Sequence, residues 1–225
     1  MKKSIIFMLV IFVSAALIIA GCGKKDSTEK APTQVIEQNF QPVNIEKNQG
    51  THPEGSKVII ADFDSGDKPN KIGGNFGAWD KDPTDFSQGC IESFDSVNRR
   101  GVKGFAMKID YDVDSQSPAY NGFWMFLQNL DASKYDNLAF WVKGDGKEGY
   151  TTVFKVELKN DKRQVGRYYI TNVTDKWQKI IVPFSDLKGI NDFSGLTEFV
   201  IVFEDRIASN KDGVIYIDDI SFTKN

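Results

Sequence analysis

The sequence predicts an all-β fold, a two-sheet antiparallel β-sandwich of the jelly-roll type. From residue 56 onward, short runs of β-branched and aromatic residues alternate with clusters of Gly, Asn and Asp, a spacing typical of strands joined by turns. Several runs alternate apolar and polar residues, and no segment carries the apolar stripe of a long helix. About nine short strands in one domain fit two packed sheets.

The candidate strands follow in chain order from these runs. They are residues 57–63, 104–111, 122–127, 137–143, 152–159, 167–170, 178–183, 198–203 and 214–222. In the run 152–159, Phe154, Val156 and Leu158 share one side, so we expect that side to pack in the core. The breaks at 144–149 and 160–163 predict hairpin connections. Residues 132–135 and 184–187 are candidates for short helical turns.

The first 21 residues predict a secretory signal peptide. Lys2 and Lys3 give a positive start, residues 5–20 are almost wholly apolar, and small residues precede Cys22. The apolar run is shorter than the roughly 20 residues that span a bilayer. Its Ile-Ala-Gly-Cys end resembles the lipobox of bacterial lipoproteins, which implies cleavage before Cys22 and acylation of that cysteine. The alternative is an uncleaved anchor helix.

Residues 22–55 are predicted to be a lipid anchor followed by a flexible linker. From residue 23 the segment is rich in Lys, Glu, Gln, Asn, Thr and Pro and has few large apolar residues. Such a composition cannot bury enough apolar surface to offset the entropy of ordering the chain. Whether the N-terminus is a cleaved lipoprotein signal or an uncleaved anchor helix, we expect the folded domain, residues 56–225, to lie outside the cytoplasm on a membrane tether.

Composition excludes several classes of function. The net charge of −3 argues against nucleic acid as a partner, because phosphate backbones need a basic face. His52, the single histidine, lies in the predicted linker, so histidine-dependent catalysis is not expected in the domain. Because Cys22 is the predicted lipidation site, Cys90 is left without a disulfide partner and is expected to be a small buried residue. We expect a monomer that is not an enzyme.

Several motifs of the domain carry a family resemblance. They are Ala-Asp-Phe-Asp at 61–64, Asn-Lys-Ile-Gly-Gly at 70–74, Leu-Ala-Phe-Trp-Val-Lys-Gly at 138–144, Trp-Gln-Lys at 177–179, and Ile-Tyr-Ile-Asp-Asp-Ile at 215–220. Together they resemble the galactose-binding-like β-sandwich domains, particularly carbohydrate-binding module family 11 and the complex I intermediate-associated protein 30 domain. The resemblance implies a non-catalytic module that binds glycan, often with structural calcium.

Acidic residues at the two ends of the domain are candidate metal ligands. If the first and last strands pair, Asp64 and Asp218 would be neighbours, and a hard cation would relieve their repulsion. The resemblance assigns these two residues to the family's calcium site. The alternative is an exposed acidic strand end without an ion.

Sugar recognition needs flat apolar surface and hydrogen-bonding groups. The aromatic candidates are Tyr120, Trp124, Phe126 and Trp141, with Tyr168 or Tyr169, whichever points outward. The polar candidates, expected to line the same concave sheet as Trp124 and Trp141, are Lys108, Asp110, Lys155 and Glu157. Phe76 and Trp79 lie on a glycine-rich stretch, where each could cover the core or contact a ligand. Trp177 is assigned to the core.

These observations predict a lipoprotein of the cell envelope, held at the outer membrane or cell surface, whose domain captures a polysaccharide or oligosaccharide. Two alternatives remain open. One is a protein-interaction or assembly module that uses the same face. The other is a glycoside hydrolase with Asp110 and Glu157 as its acid pair, since such enzymes hold two carboxyls about 5 to 10 Å apart.

Overall fold

A computed structural model of the chain describes residues 56–225. Within this range the chain forms eleven strands and one short 3₁₀ helix, Phe184–Asp186. The strands are β1 (Lys57–Ala61), β2 (Phe76–Asp80), β3 (Gly89–Asp95), β4 (Ala106–Asp112), β5 (Tyr120–Leu130), β6 (Asn137–Gly144), β7 (Phe154–Asn160), β8 (Val165–Ile170), β9 (Gln178–Pro183), β10 (Leu196–Glu204) and β11 (Asp212–Thr223). The predicted all-β sandwich is confirmed.

The described strands form two antiparallel sheets. Sheet I has the order β3-β4-β11-β6-β9, and sheet II has the order β2-β5-β10-β7-β8. The long closing strand β11 pairs with β4 along its first half and with β1 along its second half. The first and last strands of the domain therefore pair, which is the condition set above for the calcium-site hypothesis.

Side-chain alternation builds the core between the sheets. In β7, Phe154, Val156 and Leu158 are buried while the intervening residues face outward, as the sequence predicts. Across the interior, Tyr111 of sheet I stacks on Phe203 of sheet II with 4.0 Å between ring centroids. Contacts of this kind hold the inner face of each sheet against the other and leave the opposite faces to solvent.

Two strands, β2 and β3, were not predicted. β2 contains Gly77 and Ala78, which have no branched or large side chain, so the segment reads as a glycine-rich loop. β3 mixes polar and apolar residues at an edge of sheet I. The suggested turn at 184–187 is confirmed as a 3₁₀ helix, while residues 132–135 contain a turn and no helix.

Cys90 lies on β3, buried and free among the described residues, as predicted. Burial raises the pKa of its thiol well above the usual value, so the thiol stays protonated and acts as a small apolar group. The predicted signal peptide (1–21), Cys22 and the linker (22–55) lie outside the described residues. Among residues 56–225, no helix is long and apolar enough to cross a membrane.

Phe203 tests the packing between the sheets. It is fully buried and contacts Tyr111 and Phe154, so Phe203→Ala should lower the free energy of unfolding by about 3–5 kcal/mol. Phe86→Ala is the matched control, because Phe86 is 97% exposed and its loss should cost less than about 0.5 kcal/mol. Urea unfolding followed by tryptophan fluorescence measures both. Equal, small losses would contradict the assigned core.

Candidate functional site

An open groove of about 440 Å³ lies on the outer face of sheet II. Strands β2, β5, β10 and β7 supply its lining. The lining residues are Trp79, Tyr120, Trp124, Lys155, Glu157, Lys159, Glu198, Val200, Val202 and Glu204. The groove is therefore built from four neighbouring strands of one sheet.

The strand register orders the chemistry across the groove. Trp124 of β5 is opposite Val200 of β10, which is opposite Glu157 of β7, which is opposite Arg167 of β8. Cross-strand partners in an antiparallel sheet point to the same face. The groove thus has an aromatic wall on the β2–β5 side, an aliphatic floor on β10, and a charged wall on the β7–β8 side.

Two ring pairs form the aromatic wall. Trp124 packs against Phe126 with 4.6 Å between centroids, and Trp79 packs edge-on against Tyr120 at 5.9 Å. Gly77 is the β2 partner of Trp124. A Cβ there would lie 3.2 Å from the indole nitrogen, so glycine leaves room for the ring against the strand. Tyr120 is 42% exposed, so this wall offers apolar ring surface to a ligand.

The charged wall is a connected network. The Lys155 ammonium lies 2.6 Å from Glu204 and 3.2 Å from Glu157. The Tyr169 hydroxyl donates to Glu204 at 3.1 Å, and the Arg167 guanidinium lies 3.4 Å from Glu157. These contacts hold the polar groups in fixed positions facing the groove.

The pKa values of two members of this network, Lys155 and Tyr169, are raised by their surroundings. Burial acts to lower the pKa of Lys155, but the hydrogen bond and charge of Glu204, helped by Glu157, raise that pKa overall. Burial also raises the pKa of Tyr169, and the charge of Glu204 raises it further. The ammonium and the phenol therefore keep their protons at neutral pH and remain hydrogen-bond donors.

The structure brings together five of the predicted ligand residues. Trp79, Tyr120, Trp124, Lys155 and Glu157 all line the groove. Their strands β2, β5 and β7 all belong to sheet II, with β5 and β7 on either side of β10.

The other three predicted residues are elsewhere, so the prediction that the polar candidates share one sheet with Trp124 and Trp141 is wrong. Lys108 and Asp110 lie on β4, and Trp141 lies on β6, all in sheet I. Lys108 and Asp110 pair with each other at 3.4 Å, and the Arg100 guanidinium stacks over Trp141 at 4.2 Å from the ring centroid. The alternation of apolar and polar residues along a strand indicates which side chains point outward, but not which of the two sheets contains the strand.

The same separation concerns the predicted acid pair. Asp110 lies in sheet I and Glu157 in sheet II. Each carboxyl points to the outer face of its own sheet, with the core between them. These two residues therefore cannot act on one glycosidic bond.

Several aromatic assignments are resolved by burial. Phe76 is buried in the core, whereas its neighbour Trp79 lines the groove. Tyr168 packs against the core and Tyr169 faces the groove network. The core assignment of Trp177 needs correction, because the ring is only partly buried and packs on a small cluster of three residues, Ala106, Val214 and Tyr216, separate from the main core.

Sequence reasoning missed the contribution of β10. Val200 and Val202 form the groove floor, with Glu198 and Glu204 at either end. The strand reads as a continuous apolar run, residues 199–203, so no alternation distinguishes its two faces. The one available signal was the pair of glutamates that flank the run.

The two predicted calcium ligands, Asp64 and Asp218, differ in solvent exposure. Asp64 is exposed, whereas Asp218 is 3% exposed and accepts hydrogen bonds from the backbone N–H groups of Asp219 and Arg100. Burial, with the charge of Asp219, raises the pKa of Asp218 to about 7. Among residues 56–225, no three His, Cys, Asp or Glu side chains gather into a metal-binding group. The calcium site at Asp64 and Asp218 therefore stays a prediction.

Comparison with known proteins gives a family match. A family model described as carbohydrate binding domain 30 matches residues 76–224. That range contains every groove residue. A search of curated proteins finds no match.

Solved structures share the fold. A family 11 carbohydrate-binding module from Clostridium thermocellum, in complex with a β-1,3-1,4-mixed-linked tetrasaccharide, is 19% identical; the match covers 75% of this chain and 95% of the module, with a TM-score of 0.55. An exo-β-agarase is 16% identical, and the match covers 74% of this chain and 24% of the agarase, with a TM-score of 0.53. These likenesses confirm the predicted fold resemblance.

Proposed function

Because this chain belongs to the carbohydrate binding domain 30 family, we propose that its domain captures a polysaccharide or oligosaccharide in the groove of sheet II, without catalysing a reaction. One observation carries the proposal. The groove sets aromatic rings on one side against hydrogen-bonding charges on the other, across an aliphatic floor. A pyranose presents the same two kinds of surface, apolar C–H faces and polar hydroxyls.

The aromatic wall would hold the C–H face of the sugar. Trp124 and Tyr120 supply ring surface, and a polar tip on each can reach a hydroxyl. Stacking on these rings would orient the chain of sugars along the groove. Their pairing with Phe126 and Trp79 limits ring motion, which lowers the entropy lost on binding.

The charged wall would bind sugar hydroxyls through hydrogen-bond donors and acceptors that its internal contacts do not use. An ammonium has three N–H donors and a carboxylate about four acceptor positions. Lys155 contacts two carboxylates, so one donor is left, and Glu204 accepts from Lys155 and Tyr169 while keeping lone pairs. These groups can therefore both donate to and accept from a sugar.

The carboxylates of the groove support binding rather than hydrolysis. Glu157 and Glu204 contact Lys155, and Glu198 contacts Lys159 at 2.7 Å. The carboxyls of a glycosidase pair act on the glycosidic bond itself, whereas each of these glutamates contacts a lysine of the groove. We therefore assign these glutamates as hydrogen-bond acceptors.

Linear β-glucans are the first ligands to test. The family 11 module of the same fold was solved with a β-1,3-1,4-mixed-linked tetrasaccharide. An open groove on a sheet face suits an internal stretch of a polysaccharide better than a single free sugar.

Trp124→Ala and Trp141→Ala separate the two faces of the domain. Titration calorimetry with mixed-linked β-glucan oligosaccharides, on the full chain in a detergent without a sugar headgroup, measures affinity. Trp124→Ala should weaken binding at least ten-fold, about 1.4 kcal/mol, because it removes the central ring of the groove. Trp141→Ala, the same change on sheet I, should alter affinity less than two-fold.

Circular dichroism must show both variants folded. Unchanged affinity in folded Trp124→Ala, or lost affinity in folded Trp141→Ala, would contradict the assigned groove. If a broad glycan array shows no binding and cross-linking recovers a protein partner, the alternative of a protein-interaction module is favoured.

We also propose that the chain is a lipoprotein anchored at Cys22 in the cell envelope, outside the cytoplasm, at the outer membrane or cell surface. The support is the charged start, apolar run and small residues that precede Cys22. Palmitate labelling in a bacterial host should mark the wild-type chain and leave Cys22→Ser unlabelled. Label retained in that variant, or absent from the wild type, would contradict the anchor.

Structural calcium at Asp64 and Asp218 is a separate proposal. An ion that binds only the folded state adds stability according to its concentration and affinity, so a chelator should lower the melting temperature by several degrees. Asp218→Asn should reduce that response. A chelator response that is the same in the wild type and in Asp218→Asn would contradict this site.

A further inference from the structure

Three buried side-chain oxygens lie where β2, β3 and β5 meet, away from the groove network. They are Asp80 Oδ1, Gln88 Oε1 and Asn121 Oδ1, and none has a hydrogen-bond partner among the described residues. An unpaired buried acceptor destabilises the fold, because it has lost its hydrogen bonds to water. Three such acceptors at one edge call for a group that the protein chain itself does not supply.

Strand pairing places Asp80 beside Asn121, and Gln88 is next in the chain to a residue that Asn121 contacts. Asp80 and Asn121 are direct partners in β2 and β5, so their side chains share a face and their Cβ atoms lie about 5 Å apart. The Asn121 amide donates to Gly89 O at 2.9 Å, and Gln88 is the residue before Gly89. The backbone N–H of the next residue, Cys90, acts to lower the pKa of Asp80, which places it close to that carboxylate.

Existing hydrogen bonds fix which end of each amide is the oxygen. Asn121 Nδ2 donates to two carbonyls, Gly89 O at 2.9 Å and Asp112 O at 2.6 Å. Gln88 Nε2 donates to an Asp85 carboxylate oxygen at 2.8 Å. Turning either amide over would set oxygen against oxygen. Both unpaired atoms are therefore true acceptors.

Burial distinguishes this cluster from surface polar groups. Asn121 is 0% exposed and Gln88 is 9% exposed, so bulk water does not satisfy their oxygens. Asp80 as a whole is half-buried, but its unpaired Oδ1 is buried. Burial raises the pKa of Asp80, against a smaller lowering by the Cys90 N–H, so its carboxylate also lacks compensation.

We propose that these three oxygens bind a hard cation, Ca²⁺, at the edge where sheet II meets sheet I. One carboxylate and two amide carbonyls form an all-oxygen donor set, which suits Ca²⁺ and not the softer transition metals. One water molecule donates only two hydrogen bonds and would leave the third acceptor unpaired. Further water molecules complete the coordination of the ion.

The proposed ion has a structural role. It joins Asp80, which follows Trp79 at the end of β2, to Asn121, which follows Tyr120 at the start of β5. Through Gln88, the residue before β3, the ion also links the end of the aromatic wall to the start of β3. This site shares no residue with Asp64 and Asp218, and it stands whether or not the groove binds glycan.

Calcium titration of the full chain tests the site. The starting protein carries Asp64→Asn and Asp218→Asn, so that any ion at those residues is removed, and is first stripped with a chelator. Adding Ca²⁺ to about 10 mM, above the range of weak extracellular sites, should raise its melting temperature, and calorimetry should give a saturable heat. Absence of both responses would overturn the proposal.

Three further variants locate the ion. Asp80→Asn has the same shape but removes the carboxylate charge, and it should weaken Ca²⁺ binding at least ten-fold. Gln88→Met removes an oxygen at nearly constant length and should also weaken binding. Asp110→Asn, an exposed acid of sheet I, should bind as the starting protein does. Unchanged Ca²⁺ affinity in Asp80→Asn would overturn the site.

Discussion

The antiparallel register of β5, β10 and β7 determines both the core and the groove. Met125, Phe199 and Leu158 form one cross-strand row and are fully buried between the sheets. The neighbouring row of Trp124, Val200 and Glu157 must then point the other way. A slip of one residue would bury the glutamate and expose the core. Packing between the sheets therefore fixes the position of each groove residue.

This constraint fixes the shape of the groove, because every lining residue lies on a strand and none on a loop. The aromatic wall and the charged wall sit on strands whose inner faces are packed, and ion pairs around Lys155 fix the charged wall further. A site that is rigid before binding loses little entropy when the ligand arrives. The same rigidity matches a role in capture, since no proton has to move.

The direction of a side chain can be predicted from the sequence where a strand alternates apolar and polar residues. The sheet to which a strand belongs cannot, because it depends on which strands become its neighbours in the fold. Lys155 and Glu157 were placed correctly because β7 alternates cleanly. Contrary to expectation, Trp141 does not share a sheet with Trp124, because β6 pairs with β11 and β9. That pairing depends on how the strands pack in the core and cannot be inferred from the sequence of β6 alone. β2 was not predicted because Gly77, which makes room for the Trp124 ring, interrupts the run of β-branched and aromatic residues that usually indicates a strand.

The central claim is that ligand binds the outer face of sheet II and not that of sheet I. Backbone amide chemical shifts, recorded by NMR during titration with the glycan that binds, test it most directly. The account predicts that shifts concentrate in β5, β10 and β7 around Trp124, Val200 and Glu157. Shifts concentrated in β4 and β6 around Trp141, with β5 and β7 unchanged, would contradict it.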